Sequence, residues 1–443
     1  MITFALLIQL GLCIVILHRE LVCNKSRNFA TTLFVGIYSI LYVIEPMILH
    51  VCYGGARSIV RGETNLFTDD LAYIIFNSIG FVFLSSCLLI SFYRKQSRTF
   101  HLIPHNINTI SPDAVGVMIA LGLASFVYGA GASLIELLMY SRFGWMQNEG
   151  YKVFFIVLST YLIALTPTYI YLVSIGKRYS KFVFIFAVLS VILFGVITKD
   201  RKWVFYIFSG WLAAKYHKDG CKLNLSYRTL LLASILFGFI LLSQFLRDVV
   251  PSLFLTGNVD VVDAFQRSAS SLFELSDISY FYRATIEAIQ QNINNGFFVP
   301  LGLLRRVLFF FVPTGLSGGV KIEDISAIFS DVVGGEDALR RGSMPPGLFG
   351  LFVISFGWIF TVFLMPLLAI FVAKLDTYFT SDKSLVHVAI ISFYFTAIVF
   401  LFRGDESTAF YFPIINILLL FYLSRMLSIT LSQKYNSYIK RSN

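Results

Sequence analysis

The apolar residues of this chain do not alternate with polar ones in short stretches. They gather into long runs separated by brief polar gaps. Eleven runs stand out, at about 2–17, 29–49, 71–92, 114–137, 153–175, 182–198, 203–216, 229–246, 348–373, 385–402 and 409–427. A helix needs about 20 apolar residues to cross the roughly 30 Å hydrocarbon core of a bilayer, and most of these runs approach or exceed that length. The pattern predicts an all-α polytopic membrane protein with about 11 (10–12) transmembrane helices. The run at 203–216 is short for a span, and it is expected to form a short or tilted helix. No internal repeat or low-complexity stretch interrupts the series.

The polar gaps set an orientation. One alternate set of loops and the C-terminal tail holds 19 Lys and Arg, from Arg19, Lys25 and Arg27 through to Arg425, Lys434, Lys440 and Arg441. The short loops of the other set hold 8: Arg57, Arg61, Arg142, Lys152, Lys199, Arg201, Lys202 and Arg403. Excess Lys and Arg mark cytoplasmic loops, so the first set is assigned inside and the long segment at 247–347 outside. Dropping the run at 203–216 would flip everything downstream and put the basic C-terminal tail outside, so charge favours keeping it. The first run has no basic residue before it, unlike a secretory signal, and is expected to be a first span with its N-terminus outside. The chain then divides into membrane helices one to eight (1–246), the long outer loop (247–347), and helices nine to eleven with a cytoplasmic tail (348–443).

The outer loop is rich in aromatics. Its stretch "DISYFYRATIEAIQQNI" (277–293) reads as an amphipathic helix. The next, "GFFVPLGLLRRVLFFFVPTGL" (296–316), is apolar but split by Arg305 and Arg306, which are costly in a lipid-facing span. An interfacial or re-entrant element is expected there. A connection of about 100 residues in an otherwise tightly joined protein points to function.

Composition agrees with a membrane protein. Of 443 residues, 57% are hydrophobic and 14% charged, and the mean hydropathy is +0.76; soluble domains carry about 45–50% apolar and 25% charged residues. Topology accounts for most of the net charge of +10, which therefore does not point to nucleic acid. Cys13, Cys23, Cys52, Cys87 and Cys221 are odd in number and scattered, with neither a disulfide framework nor zinc spacing. No phosphate-binding glycine loop, HExxH or nucleophile elbow occurs, and His101 and His105 are separated by Pro104, which argues against a metal site.

Charge does gather at the outer boundary. "TKDRK" (198–202) packs Lys199, Asp200, Arg201 and Lys202 into one short hairpin, and "LFRGDEST" (401–408) puts Arg403, Asp405 and Glu406 into another. Arg247 ends the eighth run, while Arg305, Arg306, Arg340 and Arg341 sit on the long loop. Glu45 and Glu136 fall near the outer ends of the second and fourth runs, and ionisable groups inside spans are functional candidates. Arginine binds phosphate oxygens bidentately and stays charged at any pH. A row of arginines at headgroup depth suits a lipid-linked phosphate or diphosphate. The bland alternative is anchoring to anionic lipid, which is preferred for Arg57, Arg61 and Arg142 and stays open for Lys199 and Lys202.

With these features in place, the chain resembles the O-antigen polymerases, the Wzy-type oligosaccharide repeat-unit polymerases, which are distant relatives of the O-antigen ligases. The likeness covers most of the chain as an architecture. It is sharpest in "TKDRKW" (198–203), "GSMPPGLFGLFVISFGW" (342–358) and "FRGDES" (402–407). It implies a bacterial inner-membrane glycosyltransferase whose long loop and active site are periplasmic. A growing glycan on undecaprenyl diphosphate would pass to a new lipid-linked repeat unit, with no nucleotide sugar or metal cofactor. A chain-length regulator protein is an implied partner. Arg201 and Arg403 would stabilise the departing diphosphate, helped by Arg247, Arg305, Arg306, Arg340, Arg341 and the two lysines. Asp405 or Glu406 would take the acceptor proton, with Glu45 and Glu136 in reserve; Asp405 could equally orient Arg403. The sequence "PPG" (345–347) would fix the return of the loop to the membrane. An O-antigen ligase is the nearest alternative, but residues 247–347 lack the histidine such ligases rely on. A transporter or flippase is the other alternative; such proteins bind near the midplane between repeats, and here no repeat is seen.

Overall fold

The computed structural model describes residues 2–23, 28–53, 70–94, 110–139, 150, 152–198, 200, 202–223, 227, 238, 277–309, 312, 324–334, 345–381, 384–405 and 407–425. Of these, 87% are helical and none lies in a strand. In chain order the helices are α1 (Ile2–Cys23), α2 (Phe29–Cys52), α3 (Asp70–Tyr93), α4 (Pro112–Ala130), α5 (Leu134–Met139), α6 (Val153–Ser174), α7 (Lys181–Thr198) and α8 (Lys202–Lys218). They continue with α9 (Asp277–Asn295), α10 (Gly302–Leu308), α11 (Ile325–Gly334), α12 (Leu348–Phe356), α13 (Trp358–Ser381), α14 (Leu385–Arg403) and α15 (Thr408–Arg425). Among the described residues nine are long and apolar enough to cross a membrane: α1–α4, α6, α7 and α13–α15. The protein is an all-α polytopic membrane protein.

Two segments differ in detail from the hydropathy reading. The run at 114–137 stops as a helix at Ala130, because Gly131 turns left-handed (φ +66°) to cap it. A Cβ at Gly131 would stand 2.7 Å from the Gly150 Cα, so glycine is required at this close approach. Glu136 therefore lies beyond the span, on α5. The run at 348–373 is two helices rather than one, broken at Gly357 (φ +77°). The short run at 203–216 is the 17-residue α8, which starts at Lys202 and carries Lys215 and Lys218 in its last turn. The run at 229–246 lies outside the described residues.

The chain forms two compact units. One comprises Met1–Thr99, Leu272–Thr380 and Ala397–Tyr411; the other comprises Phe100–Ser271, Ser381–Thr396 and Phe412–Asn443. In the first, Tyr38 donates to Gln9 Oε1 (2.6 Å) and Gln9 Nε2 donates to Asn77 Oδ1 (2.8 Å), joining α1, α2 and α3. Around this polar core pack the rings of Phe34, Tyr38, Tyr42, Phe76, Phe83, Phe349 and Phe402. A second cluster, with Ala284, Ala288, Ile325, Phe329, Leu351 and Ile354, gathers α9, α11 and α12.

At the start of α2 the first unit also buries charge. Asp376 of α13 accepts from the backbone N–H groups of Ala30 and Thr31 and from the Thr31 hydroxyl, capping α2. Arg94 Nη1 pairs with it at 2.9 Å and Arg94 Nη2 reaches Ala373 O and Thr377 Oγ1 (2.7 and 2.8 Å). Glu20, also buried, accepts from Asn28 Nδ2 and the Ser91 hydroxyl.

The second unit relies on small residues and hydroxyls, as helices in lipid do. Gly210 of α8 lies against Pro167 of α6, where a Cβ would come within 3.0 Å of the Pro167 Cα. The Ser392 carbonyl accepts from Ser209 Oγ (2.6 Å), and Ser392 Oγ meets Thr168 Oγ1 (3.0 Å). Asn416 Nδ2 donates to Ala164 O (2.7 Å), filling the ladder gap between the two halves of α6.

Candidate functional site

A helix end leaves its last carbonyls without intrahelical partners. At the end of α14 three successive carbonyls are taken up by three different elements of the first unit. Phe402 O accepts from the Tyr42 hydroxyl of α2 (3.1 Å), Arg403 O from Gly347 N at the start of α12 (3.0 Å), and Gly404 O from the Ser326 hydroxyl of α11 (3.3 Å). The backbone around Arg403 is thus held on three sides.

The sequence reasons for this junction are local. Gly404 adopts φ +83°, and a Cβ there would lie 2.6 Å from Gly347 N. Gly347 itself is at φ +75°, with Phe281 O 2.8 Å from its would-be Cβ. Only two glycines let these backbones touch. Two of the three motifs singled out in the sequence, "PPG" and "FRGD", therefore meet directly. Tyr42 ties them together. Its oxygen accepts from Leu348 N (2.9 Å), lies 3.0 Å from Thr285 Oγ1 of α9, and donates to Phe402 O. One phenol thereby caps the start of α12 and the end of α14. It sits in a π-helical turn of α2 (Ser39–Ile44), and a second π turn (Ser407–Tyr411) begins just past Gly404. Such turns recur at functional sites.

Arg403 is half-buried, and among the described residues its guanidinium makes no hydrogen bond or ion pair. Asp405, two residues on, is committed elsewhere: Oδ1 accepts from Thr408 N (2.9 Å) and Oδ2 from Thr408 Oγ1 (2.8 Å), capping α15. Arg306 of α10 is tied to the same junction. Its Nη2 lies 3.8 Å from Asp324 Oδ2, Asp324 caps α11 by accepting from Ser326 N (2.8 Å), and Tyr411 donates to Arg306 O (3.1 Å). Arg305, its neighbour on α10, is half-buried. Glu45 stands one turn beyond Tyr42 on α2; its Oε2 is buried and, among the described residues, accepts no hydrogen bond. His50 meets the Tyr282 hydroxyl at 3.0 Å.

Two candidates have structural partners of their own. Glu136 forms a capping box on α5, taking Ser133 N at 2.7 Å while its own N–H donates to Ser133 Oγ at 3.3 Å. Donation from Ser133 holds its carboxyl pKa below the ordinary value of 4.5. In the second unit, Lys202 opens α8 with its N–H on Asp200 Oδ1 (3.1 Å) and its ammonium 4.0 Å from Asp200 Oδ2. Lys199, Arg201, Arg247, Arg340, Arg341 and Glu406 lie outside the described residues. Among the described residues no three His, Cys, Asp or Glu side chains gather closely enough to hold a metal ion.

Tyr42, Thr285 and Ser326 escaped the sequence reading. A tyrosine in an apolar run reads as packing, and its partners here are 243 and 360 residues away. The glycines of "RGD" and "PPG" were the visible signal. Comparison with family models, with curated proteins and with solved structures finds no match to this chain.

Proposed function

We propose that this protein is a polysaccharide polymerase of the bacterial inner membrane, acting at the periplasmic face on undecaprenyl-diphosphate-linked repeat units. The observation that carries the reading is Arg403: a guanidinium without a partner among the described residues, on a backbone clamped through three consecutive carbonyls. A cation held in place before the reaction stabilises charge that develops during it, without reorganisation at the moment of bond cleavage.

In the proposed step, a hydroxyl of the incoming repeat unit attacks the anomeric carbon of the growing glycan. The new C–O bond forms as the bond to the diphosphate breaks through an oxocarbenium-like state. The bonding pair leaves on the diphosphate oxygen, where Arg403 receives the charge through its planar fork, with Arg306 as the second cation of the junction. The acceptor proton passes to a carboxylate. Glu45 suits that role better than Asp405, because among the described residues its Oε2 accepts no hydrogen bond while both Asp405 oxygens are engaged by Thr408.

Arg403→Ala is the decisive variant. It is expected to reach the membrane at normal level yet stop long-chain product, leaving single repeats on a gel, since removing one preorganised donor costs about 100- to 1,000-fold in rate. A normal chain-length ladder from this variant would overturn the proposal.

A further inference from the structure

Tyr42 is absent from any motif of the chain, yet its hydroxyl is the point where α2, α9, α12 and α14 meet. We infer that Tyr42 is a positioning residue for the proposed reaction, setting the place of Arg403 by fixing the carbonyl that precedes it. The inference rests on the polymerase reading.

Hydrogen-bond bookkeeping makes the case. A phenol has one proton to give and two lone pairs to receive. The proton goes to Phe402 O, one lone pair takes Leu348 N–H, and the other faces Thr285 Oγ1. Thr285 has alternative acceptors in Phe281 O (2.9 Å) and Pro346 O (3.4 Å). Among the described residues neither Phe402 O nor Leu348 N has another partner, because each sits at a helix end. Removing the hydroxyl would strand both groups, and the end of α14 would be free to shift relative to α12 by the amount that relieves them. Arg403 is the next residue.

The ring has a separate role. It stacks on Phe349 (5.2 Å between centroids, 14° between planes) and packs on Phe76 and Phe402. Tyr42→Phe keeps those contacts and deletes only the bridge. The π turn at Ser39–Ile44 is in keeping with this view, because such turns are frequent at functional sites.

The test is a double-mutant cycle read on chain elongation, normalised to membrane level by immunoblot. A strain lacking the gene is complemented with wild type, Tyr42→Phe, Arg403→Lys and the double variant. Tyr42→Phe is expected to reach the membrane normally and to slow elongation by about tenfold, the scale of stranding buried polar groups. In the Arg403→Lys background it should cost less than about twofold, because the group it positions is gone. Equal costs in both backgrounds, a full-length ladder from Tyr42→Phe, or a fall in protein level that accounts for the whole loss would each overturn the inference. A normal ladder from Arg403→Ala would instead overturn the polymerase reading itself, so the two failures are distinguishable.

Discussion

The two stretches of α2 use polar groups in opposite ways. At its start, around Ala30 and Thr31, every carboxylate in reach is spent on structure: Asp376 binds two backbone N–H groups, a hydroxyl and Arg94, and Glu20 binds Asn28 and Ser91. Roughly 16 Å further along the helix, at Tyr42, the hydrogen bonds are almost all between backbone and hydroxyl groups, and the charged residue whose backbone they hold, Arg403, pairs its side chain with no described residue. Buried charges that are fully partnered hold helices together. A charge whose backbone alone is held is left available for something that arrives from outside.

The contrast can be broken from either side. The largest expected effect on stability is Asp376→Ala, which leaves Arg94 and the α2 N-terminus without their partner. Breaking a buried pair costs about 3–5 kcal/mol, and membrane level or the thermal midpoint in detergent should fall sharply. Next is Gly404→Ala. Its new Cβ would meet Gly347 N at 2.6 Å from a left-handed backbone, so strain and overpacking together should cost about 2–4 kcal/mol and abolish product even where protein survives. Arg403→Ala should leave stability within about 0.5 kcal/mol while removing activity, the reverse of Asp376→Ala. If Arg403→Ala destabilises as much as Asp376→Ala does, the contrast is wrong.

The smallest effect is expected at Glu136. Its folded-state pKa lies below the ordinary value of 4.5 because Ser133 donates to the carboxylate. A lowered value means stabilisation present above pH 4.5 and lost as pH falls through the folded value. The side chain is fully exposed, so Glu136→Gln should leave the thermal midpoint almost unchanged at pH 7 and abolish what little acid dependence this box contributes. A large loss of activity in that variant would restore Glu136 as a reaction-site candidate.

Most membrane helices were legible because a span is defined by composition over about 20 residues, which needs no knowledge of the fold. The amphipathic stretch at 277–293 likewise lies on α9. Breaks within apolar runs were not legible. Gly357 sits between Phe356 and Trp358 in sequence that hydropathy reads as continuous, and only its backbone conformation ends α12. At the candidate site, Arg403 was visible because charge is rare in such a chain. Its supports were not, since a tyrosine, a threonine and a serine in apolar surroundings carry no signal until residues far apart in the chain are brought together. Arg94 and Asp376 illustrate the same limit: each is an ordinary loop-proximal charge in sequence, and the pairing spans 282 positions.

The break at Gly357 has a consequence for how the chain is built. Taken together, α12 and α13 would extend roughly 50 Å as one rod, far beyond the roughly 30 Å of the hydrocarbon core. Separately, α13 suffices to cross, and it turns Phe360 and Phe363 outward (67% and 72% exposed) as a lipid-facing helix would. The nine-residue α12 cannot cross and is wrapped by protein along most of its length. Its place therefore cannot come from partitioning into lipid during synthesis. It packs on α2 and α9, and the Arg403 carbonyl that receives the N–H of Gly347, the residue just before it, belongs to α14, which is made later. The junction at Arg403 thus cannot close before α14 has been made.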